Sequence, residues 1–312
     1  MLTRREAERM RPITETDLGE VHWLTSKNSN AYSRLRRITY SDLIHFNIGD
    51  ALVATGTNQE DLIKIVPGYT QTITGIGGLA LNKAGVKIKG LGIYDARPKF
   101  LMDGASTVSC LVTAANMALD NCVFIAGHSD VAVWGTITAK GFKLTNCRFE
   151  GNTTNENFVT IINAGAADND FDGLHIQGCV MDYGVDDGAL NPIILNKNSE
   201  SVRILDNKIY ADLDTTPYAA IYSPNTEHHM DIDVARNHIH NLHDANAVVG
   251  ISLGSTTSTG FIRDNLIYAL DVAGETPVVS AATGIAAYGN YYAYAGGSSL
   301  SGFVYPAIGT LS

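Results

Sequence analysis

Carboxylate, tyrosine and histidine side chains recur at one position of a short segment that this chain repeats. Glu150 and Asp182 follow the last apolar residue of two copies, and Tyr210, His240 and Tyr268 stand at the same position in later copies. If the copies lie side by side, Glu150 and Asp182 come within one strand spacing of each other. Two carboxylates that close can share a proton and separate their pKa values, as the acid and nucleophile of a glycosidase do. The three rings are candidates for stacking on sugars.

Two other groups of residues offer candidate chemistry. Asp186 and Asp187, in "YGVDDGAL", form a second set of candidate catalytic carboxylates. His238 and His240 are two positions apart, so on a strand they face the same side and could bind a metal ion. A row of polar or aromatic residues is also what a packed trimer interface or a solvated face presents. The sequence therefore favours a protein that is not an enzyme and that has no cofactor; an enzyme would be a polysaccharide hydrolase or lyase.

The repeated segment has a small residue at its centre, which recurs every 25 to 32 residues. These residues are Cys122, Cys147, Cys179, Asn207, Asn237, Asn265 and Asn290. The surrounding runs, such as "GFKLTN" and "SVRILDN", alternate with the period of a strand, and no long segment of helical periodicity is found after about residue 45. We predict an all-β fold, a single-stranded right-handed parallel β-helix in which each repeat forms one coil of the solenoid.

In such a solenoid, equivalent residues of successive coils lie above one another, about 4.8 Å apart. Inward asparagines at a bend can bond the backbone and the amides above and below, so the small-residue column is predicted to be a structural ladder. The three cysteines are expected at the same inward position as small buried side chains with free thiols. In "ILDNKIYA", Lys208 and Tyr210 are predicted to point outward on either side of Ile209.

Charge and hydropathy exclude several functions. The net charge is −10 and the pI is near 5.3, which disfavours binding to nucleic-acid phosphate. No apolar run approaches the roughly 18–20 residues that span a bilayer, so no membrane partner is predicted. The N-terminal "MLTRREAERMRP" is not followed by an apolar stretch, so we predict no signal peptide and synthesis in the cytoplasm.

Residues 46–92 contain "GD", "IKIVPGYT" and "GVKIKGLG" in that order. This succession resembles the opening of many pectate-lyase-like β-helix proteins, and the resemblance extends over roughly residues 46–295. It implies the β-helix fold and is not specific for an activity, because the superfamily includes polysaccharide lyases, glycoside hydrolases, bacteriophage tailspikes and other virion proteins.

The segment "RITYSDL" leads into this region and resembles a short anchoring segment at the start of phage virion proteins. The resemblance implies anchoring roles for Arg37, Ile38, Tyr40 and Leu43. Ser41 or Asp42 could cap a short helix that begins at Leu43. We predict three parts: an N-terminal virion-anchoring segment at 1–45, the β-helix at 46–293, and a C-terminal cap at 294–312.

These resemblances imply a structural protein of a bacteriophage-like virion, either a capsid decoration or a tail or tailspike-type component. We expect a homotrimer, made in the host cytoplasm, whose residues 1–45 bind another capsid or tail protein. Host surface polysaccharide is a further expected partner, and no nucleic acid or membrane is expected. The alternative is a polysaccharide-degrading glycoside hydrolase or lyase, or a carbohydrate-binding tailspike.

Overall fold

The computed structural model describes residues 19–153, 156–181, 191–211, 213, 219–241, 249–255, 257–269, 278–280 and 283–294. Three long parallel sheets, here called sheets A, B and C, contain 11, 9 and 8 strands. Each coil contributes one strand to A, then one to B, then one to C. The predicted parallel β-helix fold is therefore confirmed.

The strands follow one another along each sheet in chain order, except that Ile44–His45 lies at the outer edge of sheet A. Sheet A contains Ile44–His45, Val21–Leu24, Leu62–Ile65, Lys87–Gly90, Ala118–Asp120, Lys143–Thr145, His175–Gln177, Arg203–Leu205, Ile232–Ala235, Thr259–Arg263 and Gly284–Tyr288. Sheet B contains Thr70–Thr74, Lys99–Asp103, Val123–Ala126, Arg148–Gly151, Val180–Met181, Lys208–Ala211, His238–Asn241, Leu266–Ala269 and Tyr291–Tyr294. Sheet C contains Leu79–Leu81, Cys110–Val112, Gly135–Ile137, Ile162–Ala164, Ile193–Leu195, Ala219–Ser223, Val249–Leu253 and Val278–Ser280. A small fourth sheet pairs Ser199–Glu200 with His229–Met230.

Apolar residues fill the cylinder in columns, because every strand pairs in register with the equivalent strand of the next coil. Phe100, Phe124 and Phe149 stack on one another in sheet B, with ring centroids 5.5 and 5.4 Å apart. Trp134 packs against Phe124 at 4.6 Å and is fully buried. Stacks of this kind fix the register, since a slip of one residue would turn each apolar side chain outward.

The bend from sheet A to sheet B has the same backbone in successive coils. Its first residue has a positive φ of 53° to 65° at Asn121, Asn146, Gly178, Asp206, Arg236, Asp264 and Gly289. Asparagine, aspartate and glycine tolerate this left-handed conformation best, and only Arg236 is of another type. The second residue of each bend is the small inward residue of the repeat.

The N-terminal end of the solenoid is covered by residues from the predicted anchoring segment, 1–45, and from the start of the predicted β-helix. Strand Val21–Leu24 pairs with Leu62–Ile65, so this segment extends sheet A. Helix α1 spans Asn30–Leu35, and helix α2, Ile48–Ala54, buries Ile48, Ala51 and Leu52.

The helix start predicted near Leu43 is wrong. Residues Ser41–Leu43 form a single 3-10 turn in which Tyr40, at the N-cap position, makes no side-chain capping hydrogen bond. Helix α2 begins at Ile48 because Asn47 caps it, with its side-chain oxygen accepting from the Asp50 backbone N–H at 2.8 Å. Within the described part of the chain, no helix has the length and apolar character needed to cross a membrane.

Candidate binding site

The small inward residues of the A-to-B bends form a continuous hydrogen-bonded column. Asn207, Asn237, Asn265 and Asn290 are buried, and each of the first three donates from Nδ2 to Oδ1 of the next at 2.9–3.0 Å. Each Oδ1 also accepts the backbone N–H of the bend one coil earlier: Asn237 Oδ1, for example, accepts from Asn207 N at 3.0 Å. The amides satisfy buried backbone groups, so these residues are structural.

Three cysteines occupy the same column one coil after another. Cys122, Cys147 and Cys179 are buried and free, and burial raises the pKa of Cys122 and of Cys179 to about 12 and that of Cys147 well above its usual value. Nucleophilic or metal-binding chemistry needs the thiolate, which such an environment disfavours. These thiols are therefore part of the core.

An aromatic row lies on the outer face of sheet B. Tyr210 and His240 are register partners whose rings stack at 4.8 Å, and Tyr268 follows with its ring 5.8 Å from that of His240. Burial, and then the positive charges of Lys208 and His238, lower the pKa of His240, so the neutral ring is favoured. The structure thus brings together the three residues predicted to contact sugars.

A groove of about 600 Å³ opens on the same face, toward the N-terminal end of the row. Its floor consists of outward residues of sheet B, and one wall is the loop that carries Tyr94, Asp95 and Arg97. The lining residues are Tyr94, Asp95, Arg97, Lys99, Val123, Arg148, Glu150, Val180, Lys208 and Tyr210. Positive side chains outnumber negative ones four to two in this lining, against the net negative charge of the whole chain.

Glu150 lies in the groove beside a cation. Its Oε2 is 2.7 Å from Nε of Arg148, two residues earlier on the same strand. Its register partner on the preceding coil is Ile125, so no carboxylate stands next to it on that side. The other candidate catalytic residues, Asp182, Asp186 and Asp187, lie outside the described residues. The pairing of Asp182 with Glu150 and the separate Asp186 and Asp187 set stay predictions.

The two histidines named as candidate metal ligands have different surroundings. His238 is exposed and His240 is half-buried between two tyrosines. Among the described residues, no group of three or more histidine, cysteine or acidic side chains is arranged to hold a metal ion.

The N-terminal end presents exposed apolar residues next to arginines. Ile38 is 78% exposed, and Arg37 and Tyr40 are also exposed, whereas Leu43 is half-buried. The sequence did not single out Val53, which is 77% exposed on α2. The sequence did contain a signal for Val53, because the apolar residues Ile48, Ala51 and Leu52 lie on one face of α2 and Val53 lies outside that face.

The groove cations were also missed. A signal existed for Arg148 and Lys208, which directly follow Cys147 and Asn207 of the small-residue column, whereas no member of that column precedes Lys99. Arg97 and Tyr94 come from a loop that no repeat position marks.

Comparisons with known protein families, with curated proteins and with solved structures give no match to this chain.

Proposed function

We propose that this chain is a non-catalytic structural rod that attaches through its N-terminal end to another protein of a bacteriophage-like particle. The observation that carries the proposal is the concentration of exposed apolar side chains at that end. Ile38, Tyr40, Phe46 and Val53 are all exposed and fall within 16 residues of sequence, 38–53. Exposed apolar groups that cluster in this way are typical of interaction sites.

The charges at this end favour an acidic partner surface. Arg34, Arg36 and Arg37 are exposed on and just after α1. Arg36 lies over the ring of Tyr32 at 5.7 Å, and that ring packs edge-on against Phe46. Positive charge around apolar side chains speeds encounter with a negative surface and fixes its orientation, while the apolar groups supply affinity.

The folded body of the protein suits a role as a rod. Parallel coils leave open strand edges only at the two ends, and α2 packs against the first strands at one of them. A homotrimer is part of the proposal. Phe261 and Tyr288, exposed on the outer face of sheet A, are candidates for the contact between subunits.

Incorporation of variants into particles tests the attachment. The tagged chain is expressed in the strain that carries its gene, and particles are purified on a density gradient. We expect the wild-type chain to co-sediment with particles and Ile38→Ser combined with Val53→Ser to be depleted from them. Met230→Ser is the matched control, because Met230 is 55% exposed and lies on a later coil, in the strand His229–Met230.

Thermal unfolding of each purified variant checks that the changes, all at exposed positions, leave the fold intact. Failure of the wild-type chain to sediment with particles would refute the proposal, as would equal incorporation of the double variant. Release of reducing ends from a polysaccharide by the purified chain would instead favour the enzymatic alternative.

A further inference from the structure

One outward row of sheet B alternates cations with valines. Lys99, Val123, Arg148, Val180 and Lys208 are register partners on five successive coils. All five line the groove. The row therefore offers a positive side chain on every second coil, with the buried Val123 and the half-buried Val180 between these side chains.

The spacing of these cations selects among polyanions. Neighbouring strands lie about 4.8 Å apart, so successive cations are about 10 Å apart along the rod. Phosphates of a duplex strand follow one another every ~3.4 Å, so a cation on every second coil would neutralise only about one phosphate in three. An extended polysaccharide with one acidic group per disaccharide does match, because a disaccharide is about as long as two strand spacings.

The wall of the groove adds a further cation and a ring. Arg97 donates from Nη1 to the backbone oxygen of Asn146 at 3.1 Å, which fixes its guanidinium next to the cation row. Tyr94 is highly exposed on the 3-10 turn Tyr94–Ala96, which Arg97 directly follows. Its ring and that of Tyr210 both line the groove, and tyrosine combines an apolar face for a sugar ring with a polar hydroxyl.

The groove continues into the aromatic row. Lys208 Nζ lies 4.8 Å from the centre of the Tyr210 ring, so the last cation of the groove touches the first ring of the row. His240 and Tyr268 then follow on the next two coils. Together the two rows form a track along the rod axis that can hold a chain of sugars rather than a single one.

We infer that the groove and aromatic row on the outer face of sheet B bind an acidic polysaccharide that carries about one carboxylate or sulfate per disaccharide. Lys99, Arg148 and Lys208 bind successive acidic groups, and Val180 and the tyrosines contact the sugar rings between them. This inference does not depend on the proposed attachment of the N-terminal end.

Binding of hyaluronan oligosaccharides to the full chain, measured by titration calorimetry at low salt, tests the inference. Hyaluronan has a carboxylate on every second sugar, polygalacturonate has one on every sugar, and dextran has none. We expect hyaluronan to bind, polygalacturonate to bind no more tightly, dextran not to bind, and affinity to fall as salt is raised.

Two double variants distinguish binding in the groove from non-specific attraction to positive charge elsewhere on the surface. Lys99→Gln with Lys208→Gln is expected to weaken hyaluronan binding about tenfold or more, since it removes two charge-assisted contacts. Lys87→Gln with Lys143→Gln removes the same charge from the outer face of sheet A, where these lysines are also two coils apart. This control variant is expected to bind hyaluronan with an affinity within twofold of that of the wild type, because its lysines lie outside the groove.

Three results would overturn the inference. The first is no binding of hyaluronan at low salt. The second is an equal loss of affinity in both double variants, which would indicate attraction to the whole surface. The third is tighter binding of single-stranded oligothymidylate that depends on Lys99 and Lys208, which would make the groove a nucleic-acid site.

Discussion

Replacing one asparagine in the ladder should be far more costly than replacing a cysteine in the same column. Asn237 donates from Nδ2 to the Ile204 carbonyl at 2.8 Å and to Asn265 Oδ1 at 3.0 Å. Its Oδ1 accepts from both the backbone N–H and the side chain of Asn207, each at 3.0 Å. In Asn237→Ala the buried Asn207 N–H loses its side-chain acceptor, and the Ile204 carbonyl loses its side-chain donor.

Each buried group left without a partner costs ~1–3 kcal/mol, so we expect Asn237→Ala to lose about 3–5 kcal/mol of unfolding free energy. Cys179→Ala is the matched control, because Cys179 lies in the same column and its thiol makes only long contacts, 3.6 and 3.7 Å, to backbone oxygens. The backbone N–H of Cys179 keeps its bond to Asn207 Oδ1 in that variant. Its loss should be about 1 kcal/mol, the value of one buried methylene-sized group.

Urea unfolding gives the difference in free energy, provided that the slope of the transition is the same for both variants. Hydrogen exchange gives the local effect: the Asn207 amide should lose protection in Asn237→Ala and keep it in Cys179→Ala. If Asn237→Ala costs no more than Cys179→Ala, or if the Asn207 amide stays protected, the ladder does not stabilise the bends as argued.

Three further predictions concern single residues. His229 is buried between the hydroxyls of Ser199 and Ser223, and burial lowers its pKa to about 4, so the unfolded chain takes up a proton that the folded chain excludes between pH 6.5 and 4. Stability should therefore fall by about 3 kcal/mol as the pH drops through this window, and urea midpoints should show a shallower pH dependence in His229→Asn. Arg236 has a positive φ and forms an exposed ion pair with Asp206 at 2.6 Å. Replacing it with glycine loses the ion pair but relieves ~1 kcal/mol of backbone strain, which should offset that loss. Arg236→Gly should therefore unfold at an equal or higher urea concentration than the wild type. The four buried cysteines should not react with a disulfide reagent at pH 8 in the folded chain and should all react in denaturant; fast labelling of any of them without denaturant would contradict their burial.

The columns of the solenoid could be predicted from the sequence because the repeat unit is also the structural unit. Asn207, Asn237 and Asn265 recur with the same apolar neighbours, and that pattern suffices to place them inward. The left-handed residue before each of them was also readable, since "DN", "TN" and "GN" place asparagine, aspartate or glycine in or beside the bend. Arg236 breaks this rule, and its ion pair with Asp206 becomes visible only when the coils are stacked.

The groove could not be predicted in the same way. The alternation of Val123, Arg148, Val180 and Lys208 was readable, because each of them directly follows the small-residue column, but that column does not show that Lys99 continues their row. Arg97 and Tyr94 belong to a loop inserted between strands of the second coil, and no periodicity constrains it. The N-terminal helix start was misplaced for a related reason: Ser41, Asp42 and Asn47 are all good capping residues, and tertiary packing of Ile48, Ala51 and Leu52 decided among them.

The regular asparagine column makes the length of this rod adjustable in whole units. Removing residues 208–237 would join Asn207 directly to His238, and the ladder could then close between Asn207 and Asn265 with the same bonds that Asn237 now makes. Such a deletion would shorten the distance between the N-terminal end and the far end of the rod by about 4.8 Å, while leaving the remaining coils in register. Duplication or loss of one coil therefore changes the length of the rod by one strand spacing and leaves the structure of both ends unchanged.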